Sequence, residues 1–134
     1  MQEQQTWANN QRWVNAFINS SATVTERAAE AIEEPMHKAV AFDSDGNVVL
    51  ATSGEEAFGL LLSNSREPVA KGELVHILVK DIGLAVAGAD IAKGDLVTVN
   101  GEGQVIPAGD GPAFGRAFSA GEAGGTVQVR IGGF

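Results

Sequence analysis

The residues most able to do chemistry include a short run of oxygen-bearing side chains. Asp43-Ser44-Asp45-Gly46-Asn47 alternates possible ligands in the manner of a calcium-binding loop. Such a loop needs glycine at its sixth position and a bidentate glutamate at its twelfth. Here glycine stands fourth, and the twelfth position is Gly54. We therefore interpret the segment as a hairpin turn, because Asp and Gly readily adopt the backbone angles of tight turns.

The two histidines, His37 and His76, each lie in a predicted strand and have no second metal ligand at a recognisable spacing. His76 stands between Val75 and Ile77, and this alternation predicts a solvent-facing strand position. The chain has no cysteine, which removes thiolate catalysis and cysteine-based zinc sites. We therefore expect neither a metal nor a cofactor.

No set of residues has the pattern of a catalytic site. Ser53-Gly54 and Ser119-Ala120-Gly121 lack the sequence of a nucleophile elbow. Gly101-Glu102-Gly103 and Gly109-Asp110-Gly111 lack the Lys-Ser/Thr ending of a phosphate-binding loop, and their carboxylates would repel an anion. We interpret these clusters and Gly124-Gly125 as turns between strands, and we expect a protein that is not an enzyme.

Composition narrows the possible partners. The 134 residues fit a single domain, and 44% hydrophobic residues suffice for a modest core. A net charge of -8 opposes binding to a phosphate backbone, which requires clustered lysines and arginines. No stretch approaches the roughly 18 apolar residues of a membrane span, and the N-terminus lacks the pattern of an export signal. We expect a soluble protein that binds neither nucleic acid nor membrane.

The chain divides near Pro35 into two unlike parts. Residues 1–34 contain both tryptophans and no glycine, whereas the rest of the chain contains all 17 glycines. This shift predicts a partly helical or extended N-terminal arm over residues 1–35 and a turn-rich β domain over residues 36–134. Deletion of residues 1–34 is then expected to leave the β domain folded and to abolish docking, oligomerisation or both.

Large apolar side chains of the arm fall roughly on one side of a predicted helix. Trp7, Val14 and Ile18 share that side at helical spacing, with Phe17 beside them and Trp13 nearby in sequence. These five residues are the candidate interface anchors, because large apolar and aromatic side chains dominate binding energy. Short helices need a surface on which to bury such residues. Two surfaces remain open, the chain's own β domain and a neighbouring subunit.

A second helix is predicted just before Pro35. Thr23 and Glu26 have the spacing of a capping box, and the segment TERAAEAIEE is rich in helix formers. Its thin apolar stripe consists of Val24, Ala28 and Ile32. Proline then ends the helix, because it lacks a backbone N–H.

Beyond Pro35, short apolar runs alternate with turn residues. Residues 37–42 and 48–51 flank an Asp-Gly turn and predict a β-hairpin. Further predicted strands cover residues 59–62, 74–79, 83–87, 96–99, 104–107, 115–118 and 126–131. About eight short strands indicate a mainly β fold, a small antiparallel barrel or sandwich.

Two sequence echoes predict that the β domain is partly duplicated. Residues 69–77 reappear 22 positions later as residues 91–99, with a shared Ala-Lys-Gly-acid-Leu-Val phrase. A longer echo aligns residues 45–49 with 102–106, and Ala57-Phe58-Gly59 with Ala113-Phe114-Gly115. Shared turn chemistry also produces echoes this short, so a duplicated set of strands is one of two interpretations.

Four short phrases extend through the second half of the β domain. They are IAKGDLV at residues 91–97, EGQVIPA at 102–108, GRA at 115–117 and GGTVQV at 124–129. Together with the strand pattern from residue 39 onward, these phrases resemble the capsid decoration proteins of tailed bacteriophages, also called cement or head-fibre-base proteins. The likeness covers about 95 residues.

The resemblance implies a structural virion protein that binds the outside of a phage capsid and stabilises or decorates it. It further implies a β domain, often a homotrimer, that contacts the major capsid protein after synthesis in the host cytoplasm. A receptor- or glycan-binding module of a phage or bacterial surface is the alternative. The β domain has no Trp or Tyr to stack against a sugar, which favours the decoration protein.

Overall fold

The fold is built from β-strands throughout the part of the chain that the computed structural model describes, residues 22–52, 57–62 and 68–132. The strands are β1 (Thr23–Arg27), β2 (Ala39–Phe42), β3 (Val48–Leu50), β4 (Gly59–Leu62), β5 (Leu74–Leu78), β6 (Ile82–Val86), β7 (Leu96–Val99), β8 (Val105–Pro107), β9 (Gly115–Ala117) and β10 (Thr126–Ile131). Within these residues, no helix has the length and hydropathy to cross a bilayer.

The strands form two antiparallel sheets of five. The first sheet has the order β1-β5-β4-β2-β3, and the second has the order β6-β10-β9-β7-β8. Each sheet curls on itself, because a parallel bridge joins the residue after its first strand to its third strand. These bridges are Ala28 to Val48 and Ala87 to Val105. The predicted mainly β, antiparallel barrel or sandwich is confirmed.

The two sheets repeat each other in topology and in hydrogen bonding. If the strands of each sheet are numbered one to five along the chain, both sheets have the same spatial order, 1-5-4-2-3. Matching backbone N–H groups donate from Phe58 to Val40 and from Phe114 to Val97, and from Ala28 to Glu73 and from Ala87 to Gly125. The predicted duplication is confirmed. We call β1–β5 the first repeat and β6–β10 the second repeat.

Equivalent hairpin turns join the second and third strands of each repeat. In the first repeat, the Asp43 carboxylate accepts two later N–H groups of its own turn, both at 2.9 Å. In the second repeat, the side-chain oxygen of Asn100 accepts two N–H groups at 2.8 and 3.0 Å. The hairpin predicted at residues 43–47 is confirmed, and the Asp43 oxygen that resembles a calcium ligand holds the turn.

The sequence echo between residues 69–77 and 91–99 reflects one kind of turn that precedes two different strands, β5 and β7. The guanidinium of Arg27 donates to the carbonyl of Gly72 at 2.6 Å. The guanidinium of Arg116 donates to the carbonyl of Gly94 at 2.8 Å. The Ala-Lys-Gly-acid phrase therefore marks a turn that an arginine of the adjacent strand holds in place.

Buried side chains form one core inside the first repeat and a larger core shared by both repeats. Ile32, Val40, Leu61 and Ile77 belong to the first of these. The larger core joins Ala39, Ala41 and Leu60 of the first repeat to Ala85, Val97 and Val129 of the second. The second repeat thus covers the part of the first sheet that contains β2 and β4.

Residues 23–34, predicted to form a helix, instead complete the first sheet. β1 pairs with β5 along five residues, from Thr23 opposite Leu78 to Arg27 opposite Leu74. Ala28 and Ile32 are each 2% exposed and lie in the first core. The helix prediction is wrong here, because pairing and burial against the sheet outweigh intrinsic helix propensity. Of the arm predicted over residues 1–35, residues 1–21 lie outside the described residues.

The strands predicted beyond Pro35 are confirmed as β2–β10, with ends shifted by at most two residues. The glycine clusters predicted to be turns also lie between strands, after β7, β8 and β9. Periodicity was sufficient for these elements because each strand is short and bounded by turn residues.

Candidate functional site

The described surface carries a group of exposed apolar side chains on the second repeat. Six large hydrophobic side chains are exposed among the described residues, and four of them belong to this repeat. They are Ile82, Leu84, Leu96 and Phe118, which are 37–47% exposed. Large apolar side chains exposed on the same face of a sheet are typical of a surface that meets a partner.

Strand pairing places these side chains together on one face. Across β6, β10, β9 and β7, the directly paired residues are Ile82, Arg130, Arg116 and Leu96. In the adjacent row, Leu84 pairs with Gln128, whose carbonyl accepts the N–H of Phe118 at 2.8 Å. We call these seven residues the outer face of the second repeat.

The sequence of β6 explains why large side chains point outward there. Ile82 and Leu84 alternate with Gly83 and Ala85, and side chains alternate between the two sides of a strand. Gly83 lies against the Leu78 side chain of the first repeat, and a Cβ added to Gly83 would collide with it. The inner side of β6 therefore has room only for small residues, so the large ones face solvent.

The duplication supplies an internal comparison for this surface. The row equivalent to Ile82, Arg130, Arg116 and Leu96 in the first repeat is Thr23, Leu78, Leu60 and Ala39. There, Leu60 is 1% exposed and Ala39 is 0% exposed, because both pack in the core shared with the second repeat. Thr23, at the β1 end of the row, is exposed. The part of this surface formed by β2 and β4 is therefore an interface in the first repeat, and the corresponding part is open in the second.

The edge strands of the two repeats also differ. Thr25 occupies in β1 the place of Leu84 in β6, and its hydroxyl hydrogen-bonds Nδ1 of His76 at 3.0 Å. A polar edge strand discourages pairing with other molecules, whereas an exposed apolar edge strand favours it. The apolar residues of β6 are therefore a property of the second repeat and not of the shared fold.

Two arginines give the outer face of the second repeat a positive centre. Arg116 already donates to the carbonyl of Gly94 at 2.8 Å. Arg130 is exposed, and its guanidinium has no partner among the described residues. In a chain of net charge -8, an arginine that lies between apolar side chains and has no partner in the described part of the chain suits a partner that offers a carboxylate within an apolar surface.

The two histidines have different environments. His76 is exposed within β5, so its predicted solvent-facing strand position is confirmed. His37 lies in a turn before β2, with a φ of 61°, so its predicted strand position is wrong. Its carbonyl accepts the N–H of Val86 at 3.2 Å, which links the turn to the second repeat. Among the described residues, no three histidine or carboxylate side chains are grouped to hold a metal.

Burial of His37 gives a testable pH dependence. Desolvation lowers the pKa of His37 below its ordinary value of 6.5. The unfolded chain therefore binds a proton near pH 6.5 that the folded chain resists, so stability is full above that pH and falls as pH drops through the lowered pKa. We expect the melting temperature to fall less between pH 7.5 and pH 5 in His37→Asn, since Asn tolerates the positive φ.

An identical pH dependence in the parent and in His37→Asn would contradict this role of His37. The Gln substitution of the exposed His76 is the matched control, because His76 lies on the solvent side of β5.

The sequence-based interface residues, Trp7, Trp13, Val14, Phe17 and Ile18, lie outside the described residues, and their role stays a prediction. Sequence reasoning missed the outer face of the second repeat. A signal was present in β6, where large residues alternate with Gly and Ala along the strand. That pattern identifies two different sides of a strand, but not which side faces solvent.

The architecture has a counterpart among solved structures. The crystal structure of the head fiber gp8.5 N base in bacteriophage phi29 matches with a TM-score of 0.59 and 21% sequence identity. The two proteins share a fold. The match covers 82% of this chain and 92% of that chain, so it extends over both repeats. No protein-family model and no curated protein sequence matches this chain.

Proposed function

We propose that this protein is a structural component of a tailed-phage virion that docks on the outside of the head and decorates or stabilises it without catalysis. The observation that carries the proposal is the outer face of the second repeat, where four large apolar side chains are exposed. In the first repeat, the corresponding face has exposed threonines on its edge strand and buries Leu60 and Ala39 against the second repeat. The fold shared with a phage head-fibre base supports a place on the virion.

In this proposal, docking buries the exposed apolar side chains on either side of the two arginines. It also pairs Arg130 with a carboxylate of the major capsid protein. Burial of apolar side chains supplies most of the affinity, and the arginine fixes orientation through paired hydrogen bonds. The chain also associates with itself as a homotrimer. Trp7, Trp13, Val14, Phe17 and Ile18 add contacts to its own β domain, to a neighbouring subunit or to the capsid.

A pair of equivalent substitutions tests the face. Leu84→Asp is expected to weaken binding to phage heads assembled without this protein by at least roughly 30-fold, the effect of losing about 2 kcal/mol when a charge replaces a large apolar interface residue. Thr25→Asp places the same charge at the equivalent position of the first repeat and is expected to change affinity less than about threefold. Co-sedimentation with heads measures both.

Light scattering after size exclusion accompanies this assay and gives the mass of each free variant. Equal loss of binding in both variants would contradict the assigned face, because the charge alone would then be responsible. A parent protein that ignores heads and binds a defined glycan would contradict the whole proposal and support the receptor-binding alternative.

A further inference from the structure

A cavity of about 420 Å³ lies between the two repeats. It is separate from the outer face of the second repeat, to which the proposed function assigns docking. Glu34, Pro35, Met36 and Lys38 line it from the first repeat, and Val86 and Gln104 line it from the second. Lys38 is the single buried polar or charged residue among those the structure describes, with 7% of its surface exposed. Its stem is thus enclosed by protein, in the wall of the cavity.

The ammonium group of Lys38 has no counterion within the described residues. It forms no hydrogen bond or ion pair there, and Glu34, on the same wall, forms none either. No described side-chain nitrogen or oxygen is both fully enclosed and unpartnered. The ammonium therefore keeps access to the cavity that Lys38 lines. A carboxylate that enters the cavity can therefore reach the ammonium and form a charge-assisted hydrogen bond with it.

The duplication shows that the fold does not require a lysine at this position. The N–H of Lys38 donates to Pro35 and that of Asp95 donates to Ala92, both at 3.1 Å, which makes Lys38 and Asp95 equivalent. The Asp95 carboxylate accepts the N–H of Ala92 at 2.9 Å and so holds its own turn. Lys38 has no comparable structural role.

The residue before Lys38 shows a second departure from the repeat. His37 occupies the place of Gly94, whose φ is 96°, and itself has a φ of 61°. A residue with a Cβ is disfavoured at positive φ, and such strain collects at functional sites. This turn and the unpartnered lysine therefore depart together from the equivalent turn of the second repeat.

Gln104 adds a second donor to the cavity. The Asn100 side-chain oxygen accepts two backbone N–H groups, which leaves its amide nitrogen to donate to Oε1 of Gln104 at 3.0 Å. The amide N–H groups of Gln104 are then available, since the described residues give them no acceptor. Lys38 and Gln104 both line the cavity, and an ammonium and an amide N–H are both donors to carboxylate oxygens.

We propose that this cavity binds a carboxylate carried on a short apolar stem. The carboxylate pairs with Lys38 and Gln104, and the stem contacts Met36, Pro35 and Val86. The exposed Glu34 at the wall disfavours a ligand with a second negative charge. The carboxylate belongs either to a free small molecule or to an acidic side chain of a docked protein, and both share this chemistry.

Titration with butyrate, followed by NMR of the full chain, tests the cavity directly. Butyrate is expected to shift the Gln104 side-chain amide and Lys38 Cε resonances in a saturable way, with a Kd on the order of 1 mM. 1-Butanol has the same stem without the charge and is expected to leave both resonances in place. Equal shifts with butanol, or no saturation with butyrate, would overturn the proposal.

Lys38→Met keeps the buried stem and removes the charge. We expect it to melt at or above the temperature of the parent, because the apolar stem stays buried and no ion pair among the described residues is lost, and to lose the butyrate shift of Gln104. Lys93→Met removes an exposed lysine and is expected to retain that shift. Retention of the shift in Lys38→Met would also overturn the proposal.

Head binding by the same variant separates the two sources of the carboxylate. A loss of at least roughly tenfold in Lys38→Met identifies an acidic side chain of the docked protein, since removal of one buried partner of a charge pair is costly. Unchanged head binding together with loss of the butyrate shift identifies a free small carboxylate. Because the titration uses no heads, failure of head binding leaves its result interpretable.

Discussion

A chain that lacks residues 1–34 is expected to lose the folded structure of the first repeat, whereas a chain that lacks residues 1–21 keeps every described strand. The sequence alone predicted that the larger deletion leaves the β domain folded. The pairing of β1 with β5 changes that expectation, because residues 23–34 belong to the domain.

The size of the effect follows from what residues 22–34 bury. Ile32 is 2% exposed, and loss of such a side chain costs about 3 kcal/mol in typical cores. Removal of β1 also deletes Ala28, whose bridge to Val48 closes the sheet, and leaves β5 without one of its two neighbours. A domain of this size has only about 5–15 kcal/mol of total stability. The deletion therefore removes a large share of it.

Urea unfolding and the dispersion of the ¹⁵N amide spectrum measure this difference. Ile32→Ala is the milder version of the deletion and is expected to lower the free energy of unfolding by about 3 kcal/mol. Glu33→Ala changes an adjacent exposed residue and is expected to stay within about 0.5 kcal/mol of the parent. A dispersed, cooperative spectrum from the chain lacking residues 1–34 would contradict the assignment of β1 to the core.

The sequence misassigned β1 for an identifiable reason. Val24, Ala28 and Ile32 are four residues apart, and a spacing of four fits both a helical face and alternate positions of an extended chain. Ala and Glu in this segment favour a helix locally. The decision came from β5, whose backbone pairs with Thr23–Arg27, and no local pattern contains that information.

Elements with turn residues at both ends were predictable, because their chemistry is local. Asp43 and Asn100 each hold a hairpin through side-chain hydrogen bonds to their own turns, and the echo between those turns revealed the duplication. The outer face of the second repeat was not predictable. Its exposure depends on which side of β6 meets the Leu78 and Leu60 side chains, a contact made across the two repeats.

Alanine at Gly59 or at Gly115 is expected to destabilise the protein by about 3 kcal/mol, in the upper range for forcing extra atoms into a packed core. A Cβ on Gly59 would approach the Leu78 carbonyl and the Ile77 side chain to well under 3.0 Å. A Cβ on Gly115 would meet the Arg130 carbonyl and the Val129 side chain in the same way. In both positions the obstacle includes backbone of the adjacent strand, which cannot rotate away.

The two glycines are equivalent, because each begins the fourth strand of its repeat and directly follows a phenylalanine, Phe58 or Phe114. The two substitutions therefore test the same close approach between neighbouring strands, once in each repeat. Thermal unfolding is expected to show a drop of roughly 15 °C for either variant. Gly101→Ala is the control, because no atom lies within 4 Å of its added Cβ, and it is expected to melt within about 3 °C of the parent.

The comparison of these variants also tests how the repeats cooperate. Because Ala39 and Leu60 of the first repeat share a core with Val97 and Val129 of the second, damage to either repeat is expected to lower one common unfolding transition. Two separate transitions, with Gly59→Ala lowering only one of them and Gly115→Ala only the other, would show that the shared core does not couple the repeats. A melting temperature unchanged in both variants would mean that the strands separate readily, and the close approach would then not stabilise the fold.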